Sequence, residues 1–208
     1  MSEITRVIQA IAIDVLAAQS ELNRLDGVAG DGDLGATMAT GANALLAVMP
    51  EMQDLDPAGT LRRCGTELAR KAPSTSGTLL ATACLRAAGA STAREGEACV
   101  SVAARVVEAA VTGVQQRGKA EIGDKTMLDA LGPALTALQE SATAGARLDQ
   151  ALTSASDAAR AGAEATRGMR ARVGRAGWLA DRSEGNVDAG AYLVALIFES
   201  AARHTGMT

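Results

Sequence analysis

The chain has 208 residues, a formal net charge of −4 and 48% apolar residues, yet only one Trp, one Tyr and one Phe. That is enough chain for one domain, residues 1–208, with a full core of Ala, Leu, Val, Ile and Met; a β-sandwich would draw on more β-branched and aromatic residues. Lys and Arg are scattered without a basic stripe, which excludes a nucleic-acid partner, and Asp14 breaks the best apolar run, so no membrane span is expected.

The N-terminus, Met1-Ser2-Glu3-Ile4-Thr5-Arg6, lacks a secretory pattern. Cys64, Cys84 and Cys99 are odd in number and widely spaced, and read as small core residues of a protein in a reducing cytoplasm. A single histidine, His204, lies near the C-terminal end. Any Ser-His-Asp or Cys-His mechanism would rest on that one residue, and a zinc site lacks ligands.

A first helix is expected from about Ser2 to Leu25, with Ile4, Val7, Ile8, Ile11 and Val15 on one apolar stripe. The next stretch, Asp26-Gly27-Val28-Ala29-Gly30-Asp31-Gly32-Asp33-Leu34-Gly35, holds three carboxylates and four glycines in ten residues, with no Lys or Arg among them. Like charges on so short a loop repel. Full solvent relieves them, and so does a cation; carboxylates without His or Cys suit Mg²⁺ or Ca²⁺. Glycines would free backbone N–H groups for a ligand, and the following helix N-terminus favours anions. The same residues also read as a plain Asp-Gly turn. An EF-hand fails on spacing: counting from Asp26 puts Val28 at position 3, and counting from Asp31 puts Gly35 at position 5 and Ala42 at position 12.

A second helix covers about Gly35 to Met49 and stops at Pro50. Asp56 as N-cap and Pro57 at the first helical position start a third, which runs to about Lys71. Pro73 ends it. Ser74-Thr75-Ser76-Gly77 then caps a fourth helix reaching about Ala90. A fifth, Glu97 to Gln116, carries Val100, Ala103, Val107, Ala110 and Val114 on one face. The charged loop Arg117 to Lys125 follows, in which Lys125 reads as a solvated charge and Asp124 as a cap. Thr126 with Asp129 resembles a capping box opening helix six.

Helix seven is expected over Leu148 to Met169, and a Gly/Arg/Asp loop from Val173 to Ala189 leads to helix eight, Gly190 to Arg203. That last helix is apolar nearly all round and should be deeply buried. In the loop, Arg175 and Arg182 can pair with Asp181 and Glu184, and Trp178 can plug the end of the helix array. The fold expected is all-α: eight antiparallel up-and-down helices closed into a barrel. Alternate connections then share one end. Every Gly- and charge-rich loop falls on that rim, after helices one, three, five and seven. Hydroxyls, N–H groups, an Arg and three carboxylates there suit a nucleotide with Mg²⁺, although no P-loop or Rossmann glycine pattern is present.

The stretches GDGDLG (30–35), STSG (74–77), RGKAEIGDKTMLDAL (117–131) and GRAGWLADRSEGNVDAGA (174–191) resemble those of the nucleotide-binding L subunit (DhaL) of bacterial dihydroxyacetone kinases, across most of the chain. The resemblance implies an eight-helix barrel with the nucleotide, ADP or ATP, on one rim. It implies that Asp26, Asp31 and Asp33 hold two Mg²⁺ ions, that Leu34, Gly35, Ala36 and Thr37 contact the phosphates, and that Thr75 and Ser76 supply donors at the phosphate end. Gly118 and Met127 would line the adenine pocket, and Arg175, Asp188, Ala189 and Gly190 would complete the nucleotide contacts. Leu34 stands where many members have His, Thr37 where many have Asn, Asn186 where His is common, and Ala189 where Pro is frequent.

No general base is evident on this chain, so no residue is assigned a catalytic role. The implied function is Mg²⁺-dependent phosphoryl transfer to a small hydroxyketone, in glycerol-type metabolism. In the resembled family a histidine of a separate K subunit holds the ketone covalently, so the chain should need that partner. A phosphotransferase-system variant would keep ADP bound and take phosphate from a phosphohistidine subunit. A different reading is a nucleotide-binding module that regulates a transcription factor without transfer.

Overall fold

The computed structural model describes residues 2–174, 177 and 180–206, with residues 180 and 181 described by their backbone alone. Among the described residues there are helices and no strands. They are α1 (Glu3–Ala17), α2 (Gln19–Ala29), α3 (Leu34–Val48), α4 (Pro57–Lys71), α5 (Thr75–Ala90), α6 (Cys99–Gly118), α7 (Leu128–Thr143), α8 (Leu148–Ala165), the short α9 (Ala180–Ser183) and α10 (Ala189–His204). Single 3₁₀ turns follow α3 (Met49–Met52) and α8 (Thr166–Gly168). None of the described helices is long and apolar enough to cross a membrane.

Side-chain caps set several starts. Asp56 accepts from Gly59 N at 2.7 Å ahead of Pro57, and Ser74 accepts from Gly77 N at 3.1 Å. The first expected helix comes as two, interrupted at Ala18, and α2 runs on to Ala29 rather than stopping at Leu25. Asp26 is therefore a helical residue, not a loop residue. The break lies where α3 crosses closest: a β-carbon on Gly35 would sit 2.0 Å from the Gln19 carbonyl oxygen. Only glycine lets the two backbones approach that far.

From α1 to α8 each helix packs on the next in the chain, α9 packs on α2, and α10 packs against α8, α7 and α1. The core is small-residue packing throughout. On α8 Ala151, Ala155, Ala159 and Ala163 form a buried ladder at four-residue spacing, which lets α7 and α10 come close. On α6 the buried face is Val100, Ala104, Val111 and Val114, with Ala103, Val107 and Ala110 only half-buried, so the seam is rotated slightly from the expected one. The last helix is sunk as expected, with Ala191, Leu193, Val194 and Phe198 buried. Cys64 is buried and Cys84 half-buried, and burial pushes both thiols up, to about 12 and about 11. Cys99 is exposed at the first residue of α6, against the expectation of a core position. His204 ends α10, with Nδ1 2.9 Å from the Ser200 carbonyl oxygen.

Candidate functional site

One cavity of about 410 Å³ opens at the end of the helices where the chemically loaded connections meet. Its wall is drawn from four parts of the chain: residues between Leu25 and Leu34 at the α2–α3 connection, between Pro73 and Leu79 at the start of α5, between Val114 and Leu128 from α6 to α7, and Val173, Gly174, Ser183 and 186–190 around the start of α10. The volume falls in the range of small-molecule sites.

The acidic side is built around Asp26. Standing in the last turn of α2, its Oδ2 accepts from the backbone N–H groups of Gly32 (2.9 Å), Asp33 (3.1 Å) and Leu34 (3.4 Å). Gly32 turns the chain back at φ 74°, a region open to glycine at little cost. The connection folds over its own carboxylate. Asp26, Asp31 and Asp33 each place one carboxylate oxygen within 4.8 Å of the others. Opposite oxygens on one Mg²⁺ stand about 4.2 Å apart, and on Ca²⁺ up to about 5.2 Å. The triad thus fits a hard divalent cation in donor type, and its 4.8 Å limit lies within the span of one Ca²⁺ and just beyond that of one Mg²⁺.

The start of α3 differs from its expected use. Its N–H groups do not wait for a phosphate: Gly32, Asp33 and Leu34 give theirs to Asp26, and Ala36 gives its own to Asn23 Oδ1 at 3.1 Å. Leu34 is buried and lines the cavity; Gly35, Ala36 and Thr37 are absent from its described wall. Gly35 packs on Gln19 and Asn23 instead, and Thr37 N closes a helical bond to Asp33 O. The open helix N-terminus is that of α5. Thr75 and Ser76 both line the cavity, and the first N–H groups of a helix have no carbonyl one turn back to take them. The partial positive charge of that terminus faces the same cavity as the carboxylates.

The third side is apolar and the fourth mixed. Leu79, Val114, Gly118, Ala120 and Met127 line one flank. Asp188, Ala189 and Gly190 form the start of α10. Asp188 caps that helix, accepting from Ala191 N at 2.8 Å, while its own N–H donates to Thr166 Oγ1 at 2.8 Å. Burial pushes the Asp188 carboxyl up to about 6; the Ala191 N–H opposes this and the nearby Asp129 charge adds to it. Arg175 and Trp178 lie outside the described residues. Glu184 stands 3.9 Å from Arg170 Nε, and Arg182 is exposed.

Two wall-shaping residues escape a reading from sequence. Lys125, read there as solvated, is 4% exposed and holds φ 62°. Its ammonium donates to the carbonyls of Met169 (3.0 Å), Asn186 (2.8 Å) and Ser183. Asp129, also buried, accepts from Gly123 N at 2.6 Å and Thr126 N at 2.7 Å. The capping-box spacing pointed at the Thr126 bond; nothing pointed at Gly123.

The family model described as the DAK2 domain matches residues 28–203. The chain is 35% identical over 190 residues to the PEP-dependent dihydroxyacetone kinase, ADP-binding subunit DhaL, of Escherichia coli, covering 91% of this chain and 90% of that protein. It is 37% identical over 201 residues to the D-erythrulose kinase of Mycolicibacterium smegmatis, covering 96% of this chain but 34% of that protein. The structure of the dihydroxyacetone kinase from C. freundii in complex with AMP-PNP and Mg²⁺ superimposes with a TM-score of 0.75 at 27% identity, over 96% of this chain and 33% of that one. The chain thus spans about a third of the length of these longer kinases.

Proposed function

Because the chain belongs to the DAK2 domain family, we propose that it is the nucleotide-binding subunit of a dihydroxyacetone-type kinase, passing a phosphoryl group to a short-chain hydroxyketone held on a separate K subunit. The observation that carries this is the facing of three clustered carboxylates and the open N-terminus of α5 across one cavity. A nucleotide tail alone would be repelled by the first and attracted by the second. A metal–nucleotide satisfies both.

In this reading Asp26, Asp31 and Asp33 would hold the two Mg²⁺ ions. Bound there, Mg²⁺ supplies neutralisation of charge on the transferring phosphoryl oxygens. Thr75 and Ser76 donate to the phosphates, as Leu34 N cannot while it serves Asp26. The flank of Gly118 and Met127 takes the base, and Asp188, Ala189 and Gly190, with Arg175, complete the nucleotide's surroundings. Gly35, Ala36 and Thr37 set the start of α3 rather than touch phosphate. In transfer the bond from the γ-phosphorus to the ADP oxygen breaks, one to the ketone's hydroxyl oxygen forms, and the hydroxyl proton passes to the transferred phosphate and on to solvent. Positioning and charge stabilisation carry such a step, and no side chain of this subunit need act as base. The ring of neighbouring helices is a barrel closed by α10 against α1, residues 1–208 form one domain, and the protein works in the cytoplasm, in glycerol-type metabolism.

Calorimetry with ADP and Mg²⁺ tests the reading. The wild type should bind only with the metal, and Asp31→Asn should lose binding. A wild type that ignores ADP in the presence of Mg²⁺ rules the proposal out. Kinase turnover by the isolated chain would refute the need for a K subunit. Nucleotide binding without ketone phosphorylation when K subunit is added would leave the regulatory reading in its place. Assay of ADP retained after dialysis separates a resident cofactor, recharged by a phosphohistidine partner, from exchanging ATP.

A further inference from the structure

A lysine in the wall of a phosphate-sized cavity invites the reading that it grips the phosphate. Lys125 cannot do so as it stands. An ammonium has three donors, and all three go to main-chain carbonyls: Met169 O, Ser183 O and Asn186 O. Those carbonyls belong to the two ends of one segment, the first just after α8 and the others just before α10. Three carbonyl oxygens converging on one buried point repel one another unless a cation sits among them. Burial pulls the Lys125 ammonium below its usual range, while Asp188 and Glu184 draw it back up and Arg167 lowers it further. The charge is kept in place by the oxygens around it.

Further bonds knit the same place. Arg172 N donates to Asp124 O at 3.2 Å, Ala171 N to Ser183 Oγ at 3.1 Å, and Gly185 N to Arg167 O at 2.9 Å. Lys125 is central to these because it joins three chain segments at once. Residues 125–128 form one wall of the cavity and 186–190 another. The left-handed backbone of Lys125, held by a residue with a β-carbon, aims the side chain out of the first wall and beneath the second.

We propose that Lys125 is a positioning residue of this cavity: its ammonium ties the wall that precedes α10 to the wall that begins α7, so that the two stand at binding distance before a nucleotide arrives. Preorganisation of this kind raises affinity by removing an ordering cost from the binding step. The claim rests on the nucleotide reading above for its ligand, though not for its geometry.

The test uses the full chain as wild type, Lys125→Met and Ser183→Ala, with amide hydrogen exchange and calorimetry of ADP with Mg²⁺. Lys125→Met should weaken ADP by about tenfold or more. It should speed exchange at the amides of Ala171, Gly185 and Asp188 and leave those of Gly32, Asp33 and Leu34 unchanged. A lysine that served stability alone would lower the melting temperature and leave the affinity of the folded protein intact; that result overturns the proposal. Should Lys125→Met not fold, Ser183→Ala decides. It cuts the Ala171 tie and leaves Lys125 with its three carbonyls, so ADP affinity should stay within about twofold of wild type; a tenfold loss there would show that the Ser183 hydroxyl, not the lysine, holds the wall, and would overturn the idea. A wild type that binds no ADP removes the nucleotide reading, and exchange at Ala171, Gly185 and Asp188 then still decides whether Lys125 holds the wall.

Discussion

Asp33→Asn should stabilise the protein without metal and destabilise it, relative to wild type, with metal. Asp33 precedes α3 and makes no side-chain cap bond, so the substitution removes charge and little else. Its carboxylate lies within 4.8 Å of those of Asp26 and Asp31. At that distance two like charges in water repel by about 0.9 kcal/mol, so removing Asp33 relieves about 1.7 kcal/mol from its two pairs. Loss of a negative charge at a helix N-terminus takes back about 0.5 kcal/mol. In EDTA at low salt the net gain is about 1 kcal/mol, or roughly 2–4 °C for a chain of this size. Saturating Mg²⁺ at 100 times its dissociation constant would lift the wild type by about 2.7 kcal/mol, and the variant by much less. The two melting curves should therefore change order between EDTA and Mg²⁺. Asp26→Asn gives the contrast: it weakens charge-assisted bonds to Gly32 and Asp33, and should cost about 2 kcal/mol in EDTA and more in Mg²⁺, where the lost metal ligand adds to it. Thermal melts of the three proteins in both buffers suffice. Equal Mg²⁺-induced shifts in wild type and Asp33→Asn, or a variant that melts below wild type in EDTA, would show that the triad is not a cation site.

Gly35→Ala should cost about 1–3 kcal/mol or more, because the new β-carbon would lie 2.0 Å from Gln19 O, whereas Gly27→Ala, inside α2 with its nearest neighbour at 3.7 Å, should gain about 0.5–1 kcal/mol; urea denaturation reads both, and a tolerated Gly35→Ala would contradict the close crossing. Asp188, with its folded pKa raised to about 6 by burial, binds its proton more tightly folded than unfolded. Its stabilising contribution is fully present below about pH 4 and is lost as pH rises through about 6. Asp188→Asn should flatten that part of the stability–pH curve measured in EDTA, and an unchanged slope between pH 4 and 6 would contradict the assignment.

Much of the fold was legible because helix starts are written in local chemistry. Asp56-Pro57 and Ser74 mark α4 and α5 within a residue, since the bonds that cap them close over three residues. What could not be read was decided at a distance. Asp26-Gly27 looks like a turn, yet α2 continues through it, with Asp26 held by N–H groups six to eight residues on. The break at Ala18 lies beside the close crossing of Gly35 on Gln19, which leaves no trace in the residues around position 18. Lys125 is the clearest case. Beside Glu121 and Asp124 it looks solvated, but its partners are main-chain carbonyls 44, 58 and 61 residues away. A carbonyl carries no residue type, so no pattern in the sequence could announce it. The convergence of the loaded connections on one cavity was legible, because it depends only on counting helices.

The filled N-terminus of α3 has a consequence for selectivity. A helix start with free N–H groups binds a bare phosphate, metal or none. Here Leu34 N and Ala36 N are already taken by Asp26 and Asn23, and the N–H groups of Gly32, Asp33 and Leu34 hold the Asp26 carboxylate instead of the ligand. The acidic side can then reach a phosphate only through a cation, and without one it repels it. The α5 terminus in the same wall attracts a free nucleotide, but that contact is worth little against the repulsion in a cavity open to water. One end of the cavity therefore recognises the anion and the other makes binding conditional on the metal. A site with both helix starts open would lack that condition.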